Sequence, residues 1–188
     1  MTADRHVLLL VDDDEVCLTF GKEILESRYT VYPVLSGEQA FTILNKVTPD
    51  IILLDIEMPV MDGYAVLNIL KNTPKTQDIP VIFLTSYKDP GNELDGLNLG
   101  AVDYITKPFS PLLLVQRIEN QLLLNSRRKE LVSSIETLQK TADEQAVRID
   151  ILEKTILKII SEPIENKDLH TQKIIDEIQN KVYTNNLD

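Results

Sequence analysis

The chain is predicted to be an α/β protein built on a doubly wound, five-stranded parallel sheet, and a few features of its sequence carry that reading. Val7-Leu8-Leu9-Leu10-Val11, Ile51-Ile52-Leu53-Leu54 and Val81-Ile82-Phe83-Leu84 are continuous apolar runs, without the polar alternation of a strand that has one wet face. Between such runs the apolar residues recur at helical spacing. Strands and helices that alternate in this way pack as a parallel sheet with right-handed crossovers and helices on both faces.

Taken in order, the first strand is closed by Asp12-Asp13-Asp14, and Val16, Cys17, Phe20, Ile24 and Leu25 then mark a helix that Asp14 and Glu15 suit at its start. Thr30 to Leu35 is a second strand. Ser36 caps the following helix, with Glu38 and Gln39 in its first turn and Ala40, Phe41, Ile43, Leu44 and Val47 on its inner face. Asp50 to Asp55 is the third strand, running into Glu57-Met58-Pro59 and Asp62-Gly63, after which Tyr64, Val66, Leu67 and Leu70 define a helix. Val81 to Thr85 is the fourth strand, Asn92 to Leu99 a short helix ended by Gly100, and Val102 to Thr106 a weaker fifth strand. Lys107-Pro108-Phe109 then leads to a helix from Pro111.

No strand signal returns after Leu112, and the apolar residues settle into a heptad. Leu124, Leu131, Leu138, Gln145, Leu152 and Ile159 share one seam position, and Arg128, Ile135, Ala142, Ile149 and Ile156 the other. Isoleucine at the first position with leucine at the second favours a parallel, two-stranded coiled coil, so a homodimer is expected. Arg128, Ala142 and Gln145 are weak seam residues. Pro163 should end the helix, and Leu169, Ile174, Ile175, Ile178 and Val182 suggest a short amphipathic helix before a polar end.

Composition limits the functions open to the chain. A length of 188 residues with 43% apolar content allows an ordinary core and one further element. A net charge of −11 argues against direct nucleic-acid binding, which needs clustered Lys and Arg, and points instead to a basic partner or a metal cation. The single Cys17 cannot form an internal disulfide and reads as a small buried hydrophobe on a helix. With no signal peptide and no run of membrane-spanning length, a cytoplasmic location is expected.

In such a sheet ligands bind at the carboxyl ends of the strands. There the first strand delivers Asp12 and Asp13, the third Asp55, the fourth Thr85 and the fifth Lys107. Crowded carboxylates repel, and a hard, oxygen-ligated cation such as magnesium relieves the repulsion. A lysine and a hydroxyl beside them can hold the oxygens of an incoming phosphoryl group.

Four segments in this order, Val11-Asp12-Asp13, Leu53-Leu54-Asp55-Ile56-Glu57-Met58-Pro59-Val60-Met61-Asp62-Gly63, Leu84-Thr85-Ser86 and Lys107-Pro108-Phe109, resemble the receiver domains of two-component response regulators. The chemotaxis receiver is the simplest member of that family, and the likeness covers about residues 5–123. It implies a flavodoxin-like strand order 2-1-3-4-5. It further implies Asp55 as phosphoacceptor, Asp12 and Asp13 with the backbone carbonyl of Glu57 as magnesium ligands beside Asp55, and Thr85 and Lys107 on the phosphoryl oxygens. Tyr104 matches the aromatic switch, and Lys107-Pro108 a bond that is usually cis. The implied partner is a sensor histidine kinase or phosphotransfer protein. The implied activity is phosphoacceptance with at most slow self-dephosphorylation, Glu57 and the bulky Tyr87 flanking the approach of water.

The expected organisation is therefore a receiver over 1–123, a coiled-coil stalk over 124–162 continuous with the fifth helix, and a tail over 163–188. A helix that continues in this way is similar to the linkers of receiver-linked cyclic-di-GMP enzymes, and Ile164 to Thr171 resembles the opening of their phosphodiesterase domains. A remnant or truncated output module is thus one alternative. Another is an Asp-nucleophile phosphohydrolase of the haloacid-dehalogenase type, which wants a second Asp where this chain has Glu57.

Overall fold

The computed structural model describes residues 5–86, 99–161, 171, 173–174 and 176–177. Its elements are β1 (Val7–Val11), α1 (Glu15–Leu25), β2 (Thr30–Val34), α2 (Gly37–Leu44), β3 (Ile51–Asp55), α3 (Gly63–Lys71), β4 (Val81–Thr85), β5 (Asp103–Thr106) and α4 (Pro111–Ser161). The strands form one parallel sheet of order β2-β1-β3-β4-β5, as expected. The helix expected over Asn92 to Leu99 lies outside the described residues.

The unbroken apolar runs have a simple cause, because successive side chains of the central strands point into two different cores. Leu9, Val11, Ile52, Leu54, Val81 and Phe83 pack with Ala40 and Leu44 of α2 and Val66, Leu67 and Leu70 of α3. Their neighbours Leu8, Leu10, Ile51, Leu53, Ile82 and Leu84 pack with Leu18 and Leu25 of α1 and Leu114, Ile118 and Leu122 of α4. The two edge strands, β2 and β5, are partly wet, and it is in β2 that Pro33 is tolerated.

The helix starts are fixed by side-chain caps. Asp14, Ser36 and Asp62 accept hydrogen bonds from the backbone N–H groups of Val16, Gln39 and Ala65, which fixes where α1, α2 and α3 leave the sheet edge. Asp14 is thus a helix cap, as its neighbour Glu15 suggests. Gly63 is obligatory at the start of α3, since a Cβ there would lie 2.3 Å from the backbone oxygen of Asp55.

Helix α4 changes environment along its length. Leu114, Ile118 and Leu122 are buried, whereas every residue from Ser126 to Lys154 is exposed. The chain divides into two compact units, Met1–Lys129 and Glu130–Asp188. In the second, Leu131, Ile135, Leu138, Ile149 and Ile156 are more than half exposed. Arg128, read as a seam residue, instead meets Asp78 at 2.8 Å within the first unit. In the tail, Thr171, Lys173, Ile174, Asp176 and Glu177 are helical with Ile174 buried, and the rest of the expected tail helix lies outside the described residues. Among the described residues no helix is long and apolar enough to cross a membrane.

Candidate functional site

Because all five strands run the same way, their carboxyl ends share one edge, and the register decides which side chains meet there. Val11 pairs with Leu54, so Asp12 comes beside Asp55, the last residue of β3. Thr85, the last residue of β4, pairs with Thr106, and the backbone N–H of Lys107 donates to the Thr85 carbonyl at 2.7 Å. The Lys107–Pro108 bond is cis, and Phe109 after it is buried and stacked on Phe20, with ring centroids 5.9 Å apart.

The result is a tight charge cluster. Lys107 Nζ lies 2.7 Å from Asp12 Oδ2 and 3.0 Å from Asp55 Oδ1. Asp12 and Asp55 are buried, at 0% and 3% exposure, and apart from the ammonium these two oxygens have no hydrogen-bond partner among the described residues. Asp13 is exposed, and one carboxylate oxygen from each of Asp12, Asp13 and Asp55 fits within 4.8 Å. Three carboxylates against one lysine leave negative charge uncompensated, and a hard cation bound by oxygen suits this donor set, whose two buried oxygens meet only the ammonium among the described residues. The residues present therefore fit magnesium.

Burial pushes the Asp55 carboxyl up to about 6; the nearby Asp12 adds to this, while contact with Lys107 and the backbone N–H of Glu57 opposes it. For Lys107, burial works against the charged form, but its contacts with Asp12 and Asp55 outweigh burial and raise it overall. Asp55 is thus a carboxylate at neutral pH, poorly solvated and held by one movable cation. A carboxylate in that state is chemically able to act as a nucleophile.

The other expected site residues are placed as follows. Thr85 is buried at the sheet edge, Tyr104 on β5 is half-buried against the α2–α3 side core, and Glu57 is exposed two residues beyond Asp55. Tyr87 lies outside the described residues.

The profile of the response regulator receiver domain matches residues 8–119. The chain belongs to that family. A probable cyclic di-GMP phosphodiesterase of Vibrio cholerae serotype O1 is 36% identical to this receiver protein over 165 residues, which are 87% of this chain and 37% of the relative. A probable transcriptional regulator, ycf27 of Cyanophora paradoxa, is 37% identical over 155 residues, 80% of this chain and 62% of the relative. The chain thus spans about a third and about three fifths of these two proteins. A putative response regulator of Chloroflexus aurantiacus has a similar crystal structure, with a TM-score of 0.61 and 35% identity, covering 63% of this chain and 98% of that one.

The surroundings of Cys17 and the backbone of Val60 were not legible in the sequence. Cys17 is half-buried on the first turn of α1, where burial and a hydrogen bond to Asp12 push its thiol up to about 12. Its helical spacing suggested a fully buried hydrophobe, whereas the thiol is half-buried with Asp12 as its neighbour. Val60 stands in the left-handed region, with φ 69°, at the centre of a three-residue turn closed by the Met61 N–H on the Pro59 carbonyl at 2.8 Å. That conformation costs a β-branched residue on the order of 1–3 kcal/mol. Only the order Pro-Val-Met-Asp-Gly could have hinted at it.

Proposed function

We propose that this receiver accepts a phosphoryl group on Asp55 from a histidine-bearing sensor kinase or phosphotransfer protein and signals through its helical extension as a parallel homodimer. The observation that carries the reading is the buried Asp12–Lys107–Asp55 arrangement at the mouth of the sheet. A carboxylate oxygen of Asp55 attacks phosphorus, the bond to the imidazole nitrogen breaks, and the imidazole leaves with the electron pair, so that an acyl phosphate results. Asp12, Asp13, Asp55 and the Glu57 carbonyl would hold magnesium, which when bound supplies positive charge against the phosphoryl oxygens.

The chain's own groups carry the remaining steps. Lys107, which bridges two carboxylates, can exchange one of them for a phosphoryl oxygen, and the Thr85 hydroxyl donates to another. Movement of Thr85 lets Tyr104 turn inward, which carries the signal to β5 and the base of α4. Phosphoacceptance with at most slow self-dephosphorylation makes this a switch and not an enzyme. The acidic balance supports a protein partner and no direct nucleic-acid contact, and we take the setting to be cytoplasmic.

The exposed heptad residues of α4 support the dimer, because a single helix would not leave Leu131, Ile135, Leu138, Ile149 and Ile156 in water. We take the receiver as 1–123, the stalk as 124–162 and the tail as 163–188. A second reading rests on the Vibrio cholerae relative, whose 165 matched residues extend past the receiver. It makes the stalk a linker to a cyclic-di-GMP phosphodiesterase output. Incubation with acetyl phosphate and magnesium tests the main reading: one phosphoryl group should appear by intact mass, with no change of dimer mass by light scattering. A chain that stays unlabelled would refute it.

A further inference from the structure

The heptad rows of α4 do not stop where the receiver begins. One heptad before Leu124 stands Arg117, and one heptad before Arg128 stands Gln121. Both of these earlier row members are taken up by the chain's own receiver. Arg117 pairs with Asp103 at 2.8 Å, and the side-chain amide of Gln121 donates to the Val102 carbonyl at 3.5 Å. Arg128 is the last residue held in this way, its guanidinium donating to Asp78 at 2.8 Å. Beyond it the rows turn apolar, and Leu131, Ile135 and Leu138 are exposed. Arg128 is thus the position at which the rows pass from the receiver to the open seam.

Asp78 is firmly placed in the loop between α3 and β4. Lys71 Nζ donates to the carbonyls of Gln77 and Ile79, each at 3.0 Å, so the backbone is held on both sides of Asp78. The buried Thr76 hydroxyl donates to the Leu70 carbonyl at 2.8 Å and ties the same loop to α3. An ion pair whose two partners are both exposed does little for the stability of a single chain. Its place on a seam row gives this one another use. In a parallel, in-register pair of helices each residue of the first seam position meets its own copy. Two guanidiniums would then face each other at residue 128, and like charges there oppose pairing. With Asp78 of each receiver beside them the layer is neutral. In an antiparallel or shifted pair Arg128 does not meet its copy, and the carboxylate has no such task. We infer that Asp78 is the receiver's contribution to the dimer interface: it neutralises Arg128 and so makes the root of the stalk fit a second, parallel copy of this chain. The inference deepens the homodimer reading and rests on it.

Asp78→Asn keeps the size of the side chain and removes its charge at an exposed position. Dissociation of the full chain is followed by sedimentation over a dilution series, in low and in high salt. In low salt the dimer Kd of Asp78→Asn should exceed the parent's by about fivefold or more, because two like charges are left facing each other. The gap should narrow in high salt, which screens them. Adding Arg128→Leu to Asp78→Asn should restore the parental Kd or tighten it, since the layer becomes apolar. Equal Kd values for Asp78→Asn and the parent in low salt would overturn the inference. So would a weakened Asp78→Asn that Arg128→Leu does not rescue, which would place the effect of Asp78 elsewhere, or a gap that salt leaves unchanged. A parent chain that is monomeric at every concentration would instead strike the homodimer reading itself.

Discussion

At the scale of single residues, the burial of Asp55 costs the fold stability at neutral pH. Asp55 binds its proton more tightly in the folded chain, where burial raises it to about 6, than in the unfolded chain at the ordinary 3.8. Stability therefore falls as pH rises through that window, by about 1.4 kcal/mol for each pKa unit, and levels off above it. Asp55→Asn keeps the volume and removes the charge. In metal-free buffer its Tm should exceed the parent's by more at pH 7 than at pH 4.5; an equal difference at both would show that burial of the charge is not what the fold tolerates here. Asp13→Ala should weaken magnesium binding by about tenfold or more in a calorimetric titration, because Asp13 is one of three carboxylates gathered within 4.8 Å. The charged members of this site were legible in the sequence, since each follows an apolar run directly and a parallel sheet gathers such ends. Val60 and Cys17 were not, because a backbone torsion and a neighbour across a helix turn leave no periodic signature.

At the scale of elements, the strands were readable for the same reason that they are stable. A strand buried on both faces must be apolar throughout, and β1, β3 and β4 are. The weaker β5, with Asp103 and Tyr104 half-buried, is less apolar and began one residue later than expected. Arg117 on α4 ties it down by an ion pair with Asp103 at 2.8 Å. The link from β3 to α3 depends on Gly63, and Gly63→Ala would force a methyl group into the Asp55 carbonyl. Overpacking of this kind typically costs about 1–3 kcal/mol, and here the neighbour is backbone, which cannot rotate away. Chemical denaturation should show a loss of at least that size, together with slower labelling by acetyl phosphate. Parental stability in Gly63→Ala would mean that the strand end moves freely.

At the scale of the whole molecule, the heptad pointed to a fifth helix longer than a receiver needs, and α4 runs from Pro111 to Ser161 with the last buried residue of its receiver-facing side at Leu122. The pattern could not show that Arg128 is engaged by Asp78, because an ion pair over that sequence distance leaves no local trace. Each Leu or Ile buried in a seam contributes about 1.5–3 kcal/mol, so several layers would hold a dimer without phosphorylation. Ile149→Asp with Leu152→Asp places unpaired charges in that seam and should give a monomer at micromolar concentration by sedimentation. A dimer that survives both substitutions would move the interface to the receiver.

The central claim is that Asp55 is the nucleophile of a magnesium-dependent phosphoacceptor. The most direct measurement is peptide mapping after incubation with acetyl phosphate, with and without magnesium. One acyl phosphate should appear, on the peptide that contains Asp55, and it should be absent from Asp55→Asn and from the sample treated with a chelator. A phosphoryl group on any other residue of the parent, or full labelling of Asp55→Asn, would contradict the account.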